Sequence, residues 1–171
     1  MDSIESLFEL NISDMKRPCR ISSSMKIEPV INVDKSLIIT WIRNYSIEAL
    51  RSVENDMLHK SVIEKVDGLY ESSHCYVLIM DGEPVSLCGF NTVLSDIIQI
   101  GPVWTPIEFR GKGYAQSLVY LNILRIHNQD LKKGILFTDS SNLSAIRCYE
   151  GLGFVHVGHY HICFTKVPIL L

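Results

Sequence analysis

The chain lacks the sequence features that mark several classes of protein. Its 171 residues include only ten Gly and six Pro, too few for a collagenous or low-complexity chain. No apolar run approaches the roughly 18–20 residues that a membrane-spanning helix needs. The five cysteines form no C-x-x-C pair, and their odd number favours reduced thiols over a disulfide framework or a structural zinc site.

A strong excess of charge of one sign is also missing. Sixteen Lys and Arg stand against nineteen Asp and Glu, and the formal net charge is −3. Because the chain has no dense basic cluster, we expect no binding to nucleic acid or to an anionic membrane. Its first residues, MDSIE, lack the positive start of a signal peptide, which predicts a cytoplasmic location. What is present, 47% hydrophobic residues, suffices for one domain with a buried core.

The first third of the chain is predicted to be helical after a short strand. Residues 1–24 are mixed in character and are predicted to be an N-terminal extension or connector, so that the domain comprises residues 25–171. A short strand follows, and Asp34 then has the sequence context of a helix N-cap. A second helix is predicted from about Asn55 to near Gly68.

The hydrophobic period then changes from that of helices to that of strands. Asp81-Gly82 between two apolar runs predicts a hairpin. The next strand, residues 97–104, is interrupted by Gly101-Pro102, which indicates a bulge or a close approach to the backbone. Helices and strands then alternate, and a last strand is expected over residues 154–165. This order predicts a mixed α/β layer, with a parallel strand–helix–strand unit at about residues 97–138.

The segment from Val103 to Gln116 has the pattern of a phosphate-binding turn. A strand ends, a turn rich in glycine and cations follows, and a helix begins. The first turn of a helix leaves backbone N–H groups unpaired at the positive end of its dipole. Gly111 and Gly113 would let a phosphate reach those groups, and Arg110 and Lys112 add positive charge. The alternative is an ordinary glycine turn before a surface helix.

Two common nucleotide-binding loops do not fit this turn. The pattern G-x-x-x-x-G-K-[ST] is absent. Counted from Gly111 and Gly113, the third glycine position of the dinucleotide fingerprint is Gln116. The turn alone therefore leaves the ligand open.

A second motif in residues 142–154 makes the pattern more specific. Together the two segments resemble the GNAT superfamily of N-acetyltransferases, with its acetyl-CoA signature [Q/R]-x-x-G-x-[G/A] and its later helix N-x-x-A-x-x-x-Y-E-x-x-G-F. The resemblance covers about residues 25–165, and the run V-W-T-P…R-G-K-G-Y-A is similar to one subgroup of that superfamily. The matching residues are Arg110, Gly113 and Ala115 in the first motif, and Asn142, Ala145, Tyr149, Glu150, Gly153 and Phe154 in the second.

The resemblance implies a fold, a cosubstrate and a site. The implied fold is a mixed, mostly antiparallel sheet with helices on both faces and a splay between the family's fourth and fifth strands. Acetyl-CoA is the implied cosubstrate, without a metal, and Tyr149 is the implied proton donor to the departing sulfur. The residues expected to bind the cosubstrate are Val103, Trp104, Thr105, Arg110, Gly111, Lys112, Gly113, Tyr114, Ala115, Gln116, Asn142 and Tyr149.

The resemblance leaves the acceptor and the base open. We expect the acetyl group to pass to a primary amine, most simply on a small molecule; a protein N-terminus or lysine is the alternative acceptor. A non-catalytic acyl-CoA sensor on the same fold would be a different function, and a homodimer is allowed. No base is assigned: Phe137 stands where some members carry Glu, and four carboxylates are only candidates (Glu48, Glu54, Glu108, Asp139). A metal site at His156, His159, His161 and Cys163 is the less favoured interpretation of that segment.

Overall fold

The computed structural model describes residues 3–126 and 130–162. Within them the chain forms seven strands and four α-helices, connected by short 3-10 turns. Their bounds are β1 Ser3–Asn11, β2 Met25–Pro29, α1 Lys35–Glu48, α2 Asp56–Glu71, β3 Cys75–Met80, β4 Glu83–Val93, β5 Ile97–Trp104, α3 Tyr114–Ile126, β6 Lys133–Asp139, α4 Leu143–Leu152 and β7 Val155–Ile162.

The strands form one sheet in the order β2-β3-β4-β5-β6-β1-β7. Among the strands of the described residues, only β5 and β6 run parallel; every other neighbouring pair is antiparallel. The predicted mixed, mostly antiparallel sheet is therefore confirmed, as is the parallel unit around α3. None of the helices in the described residues is both long enough and apolar enough to cross a membrane.

Helices cover both faces of the sheet because successive strand residues point to opposite sides. Leu78 of β3 packs in the core cluster that includes α3 and α4. Its neighbour Val77 packs in a second cluster, which includes α1 and α2. The predicted arrangement of helices on both faces is confirmed.

Local sequence signals explain the helix and turn positions. The Asp34 carboxylate caps α1 by accepting a hydrogen bond from the Ser36 N–H at 2.9 Å. Asp81 and Gly82 take φ values of 53° and 87° and join β3 to β4, as predicted. The predicted end of α2 near Gly68 is wrong, since the helix continues to Glu71. Burial of Val62, Val66 and Leu69 along one face of α2 outweighs the helix-weakening effect of one glycine.

Residues 1–24 contain a strand that lies in the interior of the sheet, between two others. β1 pairs with β6 on one side and with β7 on the other. Phe8 and Leu10 are each 1% exposed, so their side chains belong to the core. For residues 3–11 the structure thus replaces the predicted extension or connector with a strand. The predicted strand at residues 154–165 corresponds to β7, and its last three residues lie outside the described part.

Candidate active site

The sheet opens between β5 and β6. The two strands pair only at residues 97–99 and 133–135, and beyond these they separate. On the other side of β5, the register with β4 shifts around Gly101-Pro102, whose peptide bond is cis. The predicted splay is confirmed, and the irregular backbone at Gly101-Pro102 lies beside it on β5.

A cavity of about 730 Å³ occupies this opening. It is bounded by β5, β6, β1, the start and middle of α4, and the end of α1 with the residues that follow it. Its lining includes Glu5, Tyr45, Glu48, Arg51, Asn91, Gln99, Ile100, Val103, Phe137, Thr138, Asp139, Asn142, Ala145, Tyr149 and Tyr160. Residues from both faces of the sheet therefore line the cavity.

Tyr149 presents its hydroxyl to this cavity from α4. The ring is 7% exposed and packs against Phe154 and Phe8, with centroid distances of 5.9 and 6.5 Å. In the described part of the chain its hydroxyl forms no hydrogen bond. Burial raises the pKa of Tyr149 well above its usual range, so the hydroxyl keeps its proton at neutral pH.

The turn before α3 offers a row of unpaired backbone N–H groups. The N–H of Arg110 donates to the Ile107 carbonyl, and the N–H of Ser117 donates to the Gly113 carbonyl. Between them, the backbone N–H groups of residues 111–116 have no acceptor among the described residues. Gly111 and Gly113 have φ of 75° and 82°, and a Cβ on Gly111 would meet nothing within 4 Å. This turn fits a diphosphate, because it supplies donors that no protein group uses.

The side chain of Arg110 is directed to α1 rather than over the turn. Its guanidinium contacts the Glu48 carboxylate at 2.8 and 3.0 Å and donates from Nε to the Thr105 carbonyl at 2.9 Å. It also lies over the Trp104 ring, 4.9 Å from the centroid. In this arrangement Arg110 fastens the turn to α1 and β5.

Other side chains of the predicted turn also have partners. The Lys112 ammonium lies 5.4 Å from the centre of the Phe109 ring, and the same ring packs against Tyr114. The Gln116 amide donates to the Cys148 carbonyl at 3.2 Å, which joins α3 to α4. Ala115 is half-buried. The backbone of this turn is therefore more available to a ligand than its side chains.

The predicted residues on β5 divide between the cavity and the core. Val103 lines the cavity. Trp104 is 6% exposed and packs on the α1 side, edge-on to Tyr45. The Ser86 hydroxyl contacts the Trp104 carbonyl at 3.1 Å and the Thr105 hydroxyl at 2.8 Å. Of the three predicted residues, only Val103 borders the cavity.

Asn142 lies where the second motif predicts a polar contact. It is the N-cap of α4, and its Oδ1 accepts a hydrogen bond from the Ala145 N–H at 3.1 Å. The same residue lines the cavity, so its amide nitrogen is left for a ligand. The helix ends at Gly153, whose φ of 97° suits glycine.

One cation at the turn, Arg20, is not among the residues predicted from the sequence. Its Nη1 donates to the Gly111 carbonyl at 2.7 Å. Its Cδ lies 3.0 Å from where a Cβ of Gly113 would be. No local pattern connects residue 20 with residue 111, and a segment predicted to be a connector gives no reason to place a binding residue there.

Three carboxylates and one guanidinium line the cavity: Glu5, Glu48, Asp139 and Arg51. Two of the four candidate bases, Glu48 and Asp139, are thus at the cavity. Glu54 instead pairs with Arg43, and Glu108 is exposed on a 3-10 turn. Glu5, on β1, is not among the predicted candidates, because an N-terminal extension would lie away from the site.

Cys148 and the histidines of β7 are not among the described residues that line the cavity. Burial raises the pKa of the Cys148 thiol to about 12, which makes it a poor nucleophile. The His156 and His159 rings lie 4.7 Å apart. In residues 3–126 and 130–162, no group of three or more His, Cys, Asp or Glu side chains has the arrangement of a metal site. Cys163 lies outside those residues.

Comparisons with known proteins agree with this architecture. A structure from Staphylococcus epidermidis matches with a TM-score of 0.68 and 17% identity, over 94% of this chain and 60% of that one. The N-acetyltransferase PseH of Campylobacter jejuni, in complex with acetyl coenzyme A, matches with a TM-score of 0.57 and 12% identity, over 81% of this chain and 97% of that one. At these identities the likeness concerns the fold.

Curated relatives match over shorter segments. A mycothiol acetyltransferase of Corynebacterium efficiens is 34% identical over 93 residues, which are 53% of this chain and 30% of the relative. N-acetyltransferase family 8 member 2 of Rattus norvegicus is 34% identical over 59 residues, 34% of this chain and 26% of the relative. The matches thus span less than a third of the length of these relatives.

A family model covers most of the region in which the site lies. The model of the acetyltransferase (GNAT) family matches residues 38–154, which include the turn before α3, the opening between β5 and β6 and the Tyr149 helix. The chain belongs to the acetyltransferase (GNAT) family.

Proposed function

We propose that this protein transfers the acetyl group of acetyl-CoA to a primary amine, on a small cationic molecule. One observation carries the proposal: the sheet opens into a cavity that the free Tyr149 hydroxyl enters, beside a turn with unpaired N–H groups. The first feature suits acyl transfer, and the second suits a phosphate-bearing donor.

Three parts of the chain would hold the cosubstrate. The N–H groups of residues 111–116 would bind its diphosphate, supported by the dipole of α3. The open edge of β5 at Val103 would hold its extended arm. The free amide nitrogen of Asn142 would add a hydrogen bond. When bound, acetyl-CoA supplies an activated acyl carbon and a thiolate leaving group.

Tyr149 would act at the sulfur. Its hydroxyl faces the cavity without a protein partner in the described residues and stays protonated because burial raises its pKa, and a departing thiolate needs a proton. A general acid in such a position contributes about 10²–10⁴-fold to a rate. Direct attack by the amine fits the cavity better than an acyl-cysteine route, because the raised pKa of the nearby Cys148 thiol keeps it neutral.

The charge and size of the cavity indicate the kind of acceptor. Glu48 is paired with Arg110 and Asp139 with Arg51, so Glu5 leaves the lining with negative charge that favours a cation over an anion. A cavity of about 730 Å³ has the size of a small-molecule site, whereas a protein acceptor would need an open groove. A homodimer and a cytoplasmic location are further proposals from the sequence alone.

The test combines cosubstrate binding with turnover. Thermal unfolding is measured with acetyl-CoA, and with NAD and ATP as controls. A ligand at about 100 times its Kd adds about 2.7 kcal/mol, so Tm should rise on the order of 5–10 °C with acetyl-CoA alone. CoA release is then measured with phenethylamine, spermidine and a lysine-containing peptide.

The outcomes separate the possible functions. CoA release with a small amine supports the proposal, and release with only the peptide makes the acceptor a protein. A Tm rise without release on any amine would identify a non-catalytic acyl-CoA binder. If Tm does not rise with saturating acetyl-CoA, the proposal that acetyl-CoA is the cosubstrate is wrong as well.

A further inference from the structure

We infer that Glu5 is the group that takes the proton from the acceptor amine. This inference rests on the proposed amine acetylation and deepens it, because the family motif supplies no base in this chain. Three observations support this inference. They are the contacts of the cavity carboxylates, the position of β1 in the sheet, and the side from which Glu5 reaches the cavity.

Two of the three cavity carboxylates are already occupied. Glu48 is held by the Arg110 guanidinium at 2.8 and 3.0 Å. Asp139 accepts hydrogen bonds from the Ser141 N–H at 2.8 Å, from the Ser141 hydroxyl at 2.6 Å and from Arg51 at 2.5 Å. These contacts lower the pKa of Asp139, and in both carboxylates they use lone pairs that a base would need.

Glu5 is the carboxylate that remains available. Its side chain forms no hydrogen bond or ion pair with any residue in the described ranges. It is half-buried and lines the cavity. A carboxylate that is partly removed from water and left without a donor has lone pairs free for an ammonium group.

The position of β1 places Glu5 and Tyr149 on opposite faces of the sheet. In the sheet Glu5 stands directly across from Asp139 on β6 and Tyr160 on β7. Phe8, three positions along the strand, packs with Tyr149 in the core on the α3 and α4 side. Because residues alternate along a strand, Glu5 points to the other face, towards α1. Base and acid therefore enter the cavity from opposite faces of the sheet.

The groups around Glu5 agree with its role as a base. The groups facing it are Tyr45 on α1, Arg51 after α1, Asp139 on β6 and Tyr160 on β7. Burial raises the pKa of Glu5 above its ordinary range, the neighbouring Asp139 raises it further and Arg51 lowers it. A pKa closer to the working pH makes a carboxylate a better general base.

The proton balance of the reaction can be written with these two residues. The Glu5 carboxylate takes one proton from the ammonium and later releases it to solvent. The neutral nitrogen forms the C–N bond, and the C–S bond breaks with its electron pair going to sulfur. Tyr149 protonates the sulfur, and the second proton lost by the nitrogen restores the Tyr149 hydroxyl. The products are an amide, CoA thiol and one proton.

The experiment compares Glu5→Gln with Glu9→Gln. Glu9 lies on the same strand and face, but it pairs with Lys133 at 2.9 Å and does not line the cavity. With the best amine of the panel, Glu5→Gln should lower kcat by about 10²–10⁴-fold and leave the Kd for acetyl-CoA within about threefold. Glu9→Gln should keep kcat. The acidic limb of the kcat profile should disappear in Glu5→Gln, and Glu5→Asp should restore part of the rate.

A stability measurement provides a readout that does not depend on turnover. A raised folded-state pKa means that the charged form of Glu5 disfavours folding. Glu5→Gln should therefore have a higher Tm than the wild type at pH 7–8, and this gain should vanish as the pH falls below about 4.3, the ordinary value for Glu. A structural carboxylate would give the opposite sign.

Each outcome decides the inference. A wild type that acetylates an amine, with Glu5→Gln equally active, overturns the role of Glu5 and leaves the proposed function intact. A Glu5→Gln variant that is less stable than the wild type at neutral pH overturns it as well, because Glu5 would then be a structural partner. A wild type that binds acetyl-CoA and acetylates no amine overturns the proposed function and the inference together.

Discussion

The Arg110 guanidinium contacts both oxygens of the Glu48 carboxylate, at 2.8 and 3.0 Å, and lies over the Trp104 ring. This contact joins the end of α1 to the turn that begins the acetyl-CoA signature. Its importance for binding is indirect, because the side chain is turned away from the free N–H groups of residues 111–116.

The first prediction concerns that contact. Arg110→Ala should lower the free energy of unfolding by about 1–2 kcal/mol, since it removes a half-exposed ion pair and a cation–π contact. The Kd for acetyl-CoA should change by less than about threefold, because the backbone donors stay in place. Urea unfolding and calorimetric titration measure the two quantities. A large loss of affinity with unchanged stability would show that Arg110 binds the phosphates directly.

The second prediction concerns Tyr149. Tyr149→Phe should lower kcat by about 10²–10⁴-fold, the range for a general acid, and leave acetyl-CoA affinity nearly unchanged. Because burial raises the pKa of this hydroxyl, wild-type kcat should show no decline from Tyr149 ionisation up to about pH 9. Steady-state kinetics across pH check both points. An unchanged kcat in Tyr149→Phe would show that Tyr149 is not the general acid.

The third prediction concerns Arg20, whose guanidinium lies against the Gly111 carbonyl. Arg20→Ala should raise the Kd for acetyl-CoA about tenfold, because a cation beside the turn strengthens phosphate binding. The effect should shrink in high salt. Arg17→Ala is the matched control, since Arg17 is an exposed cation of the same segment whose side chain forms no hydrogen bond or ion pair with a described residue. Equal affinities for the two variants would remove Arg20 from the binding site.

The fourth prediction concerns Asp139. Hydrogen bonds from Ser141, followed by the charge of Arg51, lower its pKa. Its ionised form therefore stabilises the fold above the ordinary Asp value of about 3.9, and this stabilisation is lost as the pH falls through the lower folded-state value. Asp139→Asn should lower stability at pH 7 by about 1 kcal/mol, and the difference should diminish below about pH 4.

The control for that prediction is an unpaired surface carboxylate. Glu108 is exposed and its side chain forms no hydrogen bond within the described part of the chain. Glu108→Gln should therefore unfold like the wild type at both pH values. Thermal unfolding at pH 7 and at about pH 2.5, which lies well below the ordinary Asp value, measures all three proteins. A constant difference between Asp139→Asn and the wild type would mean that its charge does not matter.

Much of the fold could be predicted because its signals are local. Asp34 caps a helix by bonding to a residue two positions away, and Asp81-Gly82 closes a hairpin within four residues. The unit from β5 to β6 likewise follows from a change of hydrophobic period along the chain. Such features need no information about distant partners.

The rest depended on contacts between distant residues. Glu5 lies across the sheet from Asp139 and Tyr160, and Arg20 donates to the Gly111 carbonyl. Nothing in the sequence near Glu5 or Arg20 indicates these distant neighbours. A partial signal for β1 did exist, because Phe8 and Leu10 alternate with the polar residues Glu9 and Asn11, which is typical of a strand with one buried face. That pattern would have predicted that Glu5 lies in the sheet, although not that it lines the cavity.

The place of β1 between β6 and β7 has a consequence for how the chain folds. Its hydrogen-bonded partners lie more than 120 positions later, with Asn11 opposite Lys133 and Ser3 opposite Ile162. During synthesis β1 therefore emerges well before the strands that cover Phe8 and Leu10. Contacts of such long sequence separation form slowly, and an unpaired apolar strand is prone to aggregate. Assembly of this half of the sheet should thus be the late and chaperone-sensitive stage of folding.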